Sequence, residues 1–237
     1  MTNSLRPDGR KPHEMRPIEA DAGLIDQADG SARFKIGDTE AYASVYGPQE
    51  LHPRHKQDPK QGKLRCEYNM LPFAGDGSRV RPGFSRRGEE ISHVTTKALE
   101  PAVDLSEYPN AVVDVHIELT QTDAGSRCAG ICAGSMALAD AGIPMTDIVP
   151  AVSAGKIDDT IVVDLNGEEE HLGGNETPDL PVALMPRDET FSLMQLDGIL
   201  TRDDLKECVE TVKPALLDIA EKQQEALRSQ YDTGVES

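Results

Sequence analysis

Apolar and polar positions alternate from Ile18 to Val45, with turn signals at Ala28-Asp29-Gly30-Ser31 and Gly37-Asp38. This pattern predicts a meander of half-buried strands. The next stretch, 47 to 83, is broken by Pro48, Pro53, Pro59, Pro72 and Pro82, with one strand-like run, Leu64 to Leu71, between loops. From Arg87 to Leu99 the period changes, and Ile91, Val94 and Ala98 fall on one face of a predicted helix. Ala111 to Leu119 alternates again through Val113, Val115, Ile117 and Leu119, a strand with one buried face. A small-residue-rich helical run from Cys128 to Ala141 follows and stops near Gly142.

A second set then begins. Ala151 to Lys156, Thr160 to Leu165, Pro181 to Met185 and Phe191 to Leu196 read as strands, with a turn at Asp197-Gly198. Leu205, Val209, Val212, Leu216 and Ile219 recur at helical spacing in a long final helix, with Thr201 as its cap and Asp204 in the capping-box position. Strands and helices repeated in two sets predict an α/β (α+β) class with two related halves. The expected division is a polar N-terminal arm over 1–15 (the polar character runs to Arg16), a first half over 16–148, a second half over 149–228, and a frayed, disordered tail over 229–237.

Between β-type alternation and helix in the first half lies Thr122-Asp123-Ala124-Gly125-Ser126-Arg127. Gly125 allows a tight backbone turn and close approach to a ligand. Ser126 is a favourable N-cap residue. Free N–H groups and the positive end of a helix dipole would face whatever occupies the loop, and the Arg127 guanidinium is a fork of donors suited to phosphate. The plainer reading is a capped core helix with a surface arginine.

Charge sharpens the picture. The chain of 237 residues carries 42 acidic and 24 basic side chains, a formal net charge of −18. Such acidity ordinarily argues against a nucleic-acid partner. Its distribution does not, because ten Lys/Arg face only five acids between Arg54 and Lys97, leaving fourteen and thirty-seven elsewhere. One window stays basic in an acidic protein. The overall bias points to a salt-rich cytoplasm, where a highly charged surface maintains solubility. Cys66, Cys128, Cys132 and Cys208 show no CxxC spacing, and the four-residue gap between Cys128 and Cys132 suits core packing in a reducing, cytoplasmic compartment better than metal ligation. No run of eighteen apolar residues is present, so no membrane partner is expected.

Several ordered motifs carry a more specific signal. Arg6-Pro7-Asp8-Gly9-Arg10 with Arg16-Pro17-Ile18 resembles the N-terminal signature of the RNase PH-type phosphorolytic ribonucleases. Gly47-Pro48, His52-Pro53-Arg54-His55, Tyr68-Asn69-Met70-Leu71-Pro72-Phe73, Arg86-Arg87 with Glu90-Ile91-Ser92, Gly125-Ser126-Arg127, and Asp164-Leu165-Asn166 followed by Asp179-Leu180-Pro181 are similar to the catalytic archaeal-exosome branch of that family. The resemblance runs from about Arg6 to the last helix. It implies an RNase PH-like fold of two related βαβα halves with mixed sheets against helices (ribosomal protein S5 domain 2-like). It further implies phosphate-dependent 3′→5′ degradation of single-stranded RNA 3′ ends to nucleoside diphosphates. The partners it implies are an inactive RNase PH-like subunit, in a ring of three heterodimers, and a cap of RNA-binding subunits. The co-substrate would be inorganic phosphate, and Mg2+ is the other cofactor to consider.

By the same resemblance Gly125, Ser126, Arg127 and Arg87 hold the phosphate, and Arg87, Arg127 and Asp179 are catalytic. Two arginines at a helix start oppose the dipole, so helix stability alone would not select Arg86 and Arg87. Asp179 would protonate the leaving 3′ oxygen, a role that needs a raised pKa, or else hold a divalent ion. The family's usual Glu-Asp pair six residues before this aspartate is missing: Gly173 stands there, in a rewritten 168–176 loop whose nearest carboxylate is Glu176. Arg65, His55, Arg54, Lys63 and Arg86 are the candidate RNA contacts, touching the backbone without base specificity. Tyr68 is either a base-stacking surface or a core residue. His171 reads as a loop histidine, and His93 and His116 as structural. A non-catalytic RNA-binding ring subunit and a stand-alone tRNA 3′-end trimming enzyme are the competing functions. Retention of Arg87, Gly125-Ser126-Arg127 and Asp179 argues against the first. The His52 to His55 loop and Ser126 argue against the second.

Overall fold

A computed structural model describes residues 6–75, 81, 85–171 and 177–232. The alternating N-terminal stretch forms β1 (Ile18–Ala22), β2 (Gly30–Ile36) and β3 (Thr39–Glu50), an antiparallel meander with continuous register. Strand β4 (Lys63–Met70), helix α1 (Arg86–Leu99), strand β5 (Ala111–Gln121) and helix α2 (Ser126–Asp140) complete the first half. Strand β5 pairs antiparallel with β3 and parallel with β4, giving the order β1-β2-β3-β5-β4. The single parallel pair is the one with a helical crossover, α1, between its strands.

The second half contains β6 (Ala151–Ile157), β7 (Thr160–Val163), the short helix α3 (Gly167–Glu170), β8 (Asp179–Met185), β9 (Thr190–Met194) and α4 (Arg202–Asp232). Its sheet has the order β7-β6-β8-β9 and is antiparallel throughout. One core joins both halves, with β2, β3, β5, α2, β6, β8 and α4 all contributing.

Helix α2 is the centre of that core. Every residue from Cys128 to Leu138 is buried, as expected for a helix that is apolar on all sides. Its glycines set the spacing: a Cβ on Gly130 would lie 3.2 Å from Ile117, and one on Gly134 3.2 Å from Leu99. The N-terminus of α2 is thereby held at the junction of the two sheets.

Three expectations change. The polar arm is not a free arm: Arg6 is completely buried, its guanidinium bonded to Glu169 at 2.6 and 2.8 Å and to the carbonyls of Val163 and Asp164 at 2.9 and 2.7 Å. Composition hid this because it does not show that each guanidinium nitrogen of Arg6 meets a partner in the second half. The C-terminal helix does not fray at Ser229 but continues to Asp232, where the Tyr231 hydroxyl donates to the Asp140 carbonyl at 3.1 Å. The remainder of that tail, 233–237, lies outside the described residues. Ser126 is the first helical residue rather than the cap, which is Gly125. No described helix is long and apolar enough to cross a membrane.

Candidate active site

Two consecutive residues before α2, Ala124 and Gly125, have positive φ (59° and 63°). This left-handed corner, inexpensive at glycine, turns the chain from β5 into α2 with no side-chain cap on the helix. The N–H groups of the first turn thus have no intrahelical acceptor. The Ser126 hydroxyl is engaged sideways, accepting from the Tyr68 hydroxyl at 2.9 Å. Tyr68 is buried, with its phenol pushed up in pKa by that burial. It is therefore a core residue that steadies the loop.

The helix start opens onto a cavity of about 170 Å³. Gly125, Ser126, Arg127, Arg87, Glu170 and Asp179 all line it. Gly125 comes from the loop before α2, Ser126 and Arg127 from the start of α2, Arg87 from α1, and the two carboxylates from the second half. The Nε and Nη1 atoms of Arg127 are buried there with no hydrogen-bond partner among the described residues, and so is Oδ1 of Asp179. Orphaned buried donors of this kind are costly unless a ligand satisfies them.

Asp179 is the first residue of β8, bonded through its backbone to Asp197 in both directions at 2.9 and 2.8 Å. Burial, followed by the negative charge of Glu170, pushes its carboxyl up to about 6, while Arg127 and the adjacent Ser153 hydroxyl pull the other way. Glu170 is also raised, mainly by burial, against the opposing charges of His171 and Arg87. Cys128 lines the same cavity as a fully protonated thiol, its pKa raised well above normal by burial.

Glu170 is the residue that sequence spacing missed. The second carboxylate belongs to the Glu169-Glu170 pair at the end of α3, three residues farther upstream than the family spacing places it. Glu169 is buried against Arg6 and Glu170 faces Asp179's cavity. The capping box of Asn166 and Glu169, with bonds of 2.9 Å in both directions, fixes that turn. An Asn-x-x-Glu box ahead of an acidic residue was the available signal. Gly173 and Glu176 lie outside the described residues. His171 closes α3 at the surface, with Nδ1 2.9 Å from the Gly167 carbonyl.

A larger cavity of about 1020 Å³ adjoins this one between β4 and α1, lined by Arg65, Tyr68, Arg81, Arg87 and Ser92 among others. Arg87 and Met70 belong to both. Arg65 is bidentate on buried Asp114, at 2.6 and 2.8 Å, and Gln49 supports the same carboxylate at 3.0 Å. Half of the Arg65 side chain remains exposed. Arg86, Arg54, His55 and Lys63 line neither cavity. Arg54 and His55 form an exposed 3-10 turn, and Lys63 donates to the Lys56 carbonyl at 2.5 Å. His93 is exposed on α1, and His116 pairs with Glu67 at 3.2 Å and packs edge-on to Tyr46.

No group of three His, Cys, Asp or Glu side chains suited to a metal is found among the described residues. Glu170 and Asp179 are nevertheless a pair of oxygen donors in one cavity with the uncapped start of α2. That donor set fits Mg2+, which binds through one or two carboxylates together with substrate phosphate oxygens.

Residues 14–144 match domain 1 of the 3' exoribonuclease family, and residues 147–212 match its domain 2. The chain is 48% identical over 229 residues to the exosome complex component Rrp41 of Thermococcus kodakarensis, covering 97% of this chain and 90% of that one. The namesake proteins of Methanopyrus kandleri and Cenarchaeum symbiosum are 45% and 44% identical, over 97% and 99% of this chain and 94% and 95% of theirs. Among solved structures, rice (Oryza sativa) Rrp46 superposes with a TM-score of 0.84 at 23% identity, covering 94% of this chain and all of that one, a likeness of fold.

Proposed function

Since the chain belongs to the 3' exoribonuclease (RNase PH) family over both of its domains, we propose that it is the phosphorolytic subunit of an archaeal exosome, degrading RNA from the 3′ end. The observation that carries this reading is the pair of Arg127 donors, Nε and Nη1, buried without a partner among the described residues at an uncapped helix start, in the cavity that also holds a carboxyl pushed up to about 6. A phosphorolytic nuclease needs such an anion site beside its acid to seat its nucleophile.

Inorganic phosphate sits at the α2 N-terminus, held by the first-turn N–H groups, Arg127 and Arg87. The larger cavity delivers the RNA 3′ end, with Arg65 on its wall. A phosphate oxygen attacks the last phosphodiester, the bond to the preceding 3′ oxygen breaks, and a nucleoside diphosphate is released. Asp179, protonated, supplies the proton to that leaving oxygen, and as a carboxylate it accepts it in the reverse, tailing reaction. Arg127 and Arg87 offset the charge that builds on the transferring phosphoryl group. Were Asp179 ionised instead, it and Glu170 would be the pair to hold a divalent ion, which would supply further charge neutralisation on phosphate oxygens.

The working assembly in this reading is a ring of three heterodimers with an RNase PH-like partner, bearing RNA-binding cap subunits, in a salt-rich cytoplasm. The test is incubation of single-stranded RNA with the chain alone and with its partner, in the presence and absence of phosphate. Nucleoside diphosphates that form only with phosphate support the proposal. Degradation that is indifferent to phosphate overturns it.

A further inference from the structure

We propose that Asp123 is a positioning residue that ties the anion-binding loop to the α3 turn, so that Arg127 and Glu170 keep a fixed separation across the cavity. The inference rests on the phosphorolytic reading of that cavity. Asp123 does not line it. Its position in the fold is what matters: it stands in the loop just before Ala124 and Gly125, and it reaches across to the other half of the protein.

The Asp123 Oδ1 atom accepts the Gly167 N–H at 2.8 Å. Gly167 is the first residue of α3, whose last residue is Glu170. The fit is close, since a Cβ on Gly167 would lie 2.6 Å from that oxygen. The Oδ2 atom lies 3.3 Å from Arg16 Nη1, and the same nitrogen donates to the Asp123 carbonyl. Arg16 holds Asp164 with its other donors, at 2.9 and 2.7 Å, just upstream of α3. On the near side, the Asp123 N–H donates to Thr39 Oγ1 at 2.8 Å, and Thr39 Oγ1 donates to the Ala124 carbonyl at 2.6 Å. The loop before α2 is therefore fixed from both halves: its direct contact to α3 is the Asp123 carboxylate, and Arg16 bridges the Asp123 carbonyl and carboxylate to Asp164 beside it.

Electrostatics makes the proposal distinguishable. A carboxylate near an anion site disfavours the anion. If Asp123 acted by charge alone, removing it would tighten phosphate binding. If it acts by position, removing it loosens the loop from α3 and weakens binding. A misplacement of about 1 Å in a catalytic constellation can cost about 10²-fold.

The experiment measures inorganic phosphate binding by calorimetry, and the KM for phosphate and for RNA, in the chain assembled with its RNase PH-like partner. Asp123→Ala is expected to weaken phosphate binding and raise its KM by about 10- to 100-fold, with the RNA KM unmoved. Asp123→Asn retains an oxygen acceptor for Gly167 and is expected to stay within about threefold of wild type. Gly167→Ala presses on the same contact from the other side and should reproduce the Asp123→Ala defect, which covers the case in which that variant does not fold. Phosphate binding unchanged or tighter in Asp123→Ala overturns the proposal, as do equal losses in the Asn and Ala variants. Arg127→Glu run in parallel separates the two readings. If it is inactive while Asp123→Ala is normal, only the positioning role fails; if it is active, the phosphorolytic site itself is wrong.

Discussion

Burial, and after it the charge of Glu170 at the end of α3, push the Asp179 carboxyl at the start of β8 up to about 6. A group with that pKa exchanges its proton near neutrality, as an acid in one direction and a base in the other. Forward phosphorolysis needs protonated Asp179, so its rate should fall as pH rises through about 6, while the tailing reaction should rise over the same range. Glu170→Gln removes the negative neighbour, lowers the Asp179 pKa and moves both breaks to lower pH. Ionisation of phosphate is common to wild type and variant, so the shift isolates Asp179. Superimposable pH profiles of the two proteins contradict the assignment.

Arg127→Glu should abolish turnover, because it replaces two unpartnered donors with a carboxylate in the anion cavity. The expected loss is at least about 10²-fold, the order seen for removal of one preorganised donor. The ring should still assemble. Near-normal phosphorolysis by an assembled variant ring rules out the role given to Arg127.

Much of this site was legible in the sequence. Arg87, Gly125, Ser126, Arg127 and Asp179, named from motifs spread along the chain, come together at one cavity. What was not legible has physical causes. Ser126 looked like a cap, but the left-handed pair Ala124 and Gly125 moves the helix start and Tyr68 takes the hydroxyl. Glu170 was hidden because distance along the chain stops predicting distance in space once a loop changes length. The anchoring of the polar N-terminal arm was hidden because composition does not reveal that Arg6 meets Glu169 and two carbonyls in the second half. The end of α4 looked frayed because Leu227 and Tyr231 find their contacts only in the tertiary fold.

Arg65 enters the larger cavity already oriented by Asp114. Arg65→Ala should therefore lose affinity for long RNA far more than for a dinucleotide confined to the smaller cavity. Asp114→Asn should show a smaller loss of the same kind, because it frees the arginine without deleting it. Binding of long RNA should also weaken with salt, since lysine and arginine contacts to phosphates are screened within about 3 Å at 1 M. Filter-binding affinities for the two lengths decide the point, and equal losses for both place Arg65 off the RNA path.

The Arg6–Glu169 pair is fully enclosed, with both side chains inaccessible. Removing one partner leaves a buried charge uncompensated, which typically costs about 3–5 kcal/mol. Glu169→Ala should therefore lower the thermal unfolding midpoint of the chain markedly. It should also loosen the turn that carries Glu170. A midpoint within experimental error of wild type contradicts a structural role for the N-terminal segment.

In the proposed reaction inorganic phosphate, not water, is the nucleophile, seated at the start of α2. Isotope transfer tests it most directly: the assembled complex is given unlabelled single-stranded RNA and radiolabelled inorganic phosphate, and the mononucleotide products are separated. The label is expected in the terminal phosphate of nucleoside diphosphates, and Arg127→Glu is expected to abolish the transfer. Unlabelled nucleoside monophosphates as the product would contradict phosphate as the nucleophile.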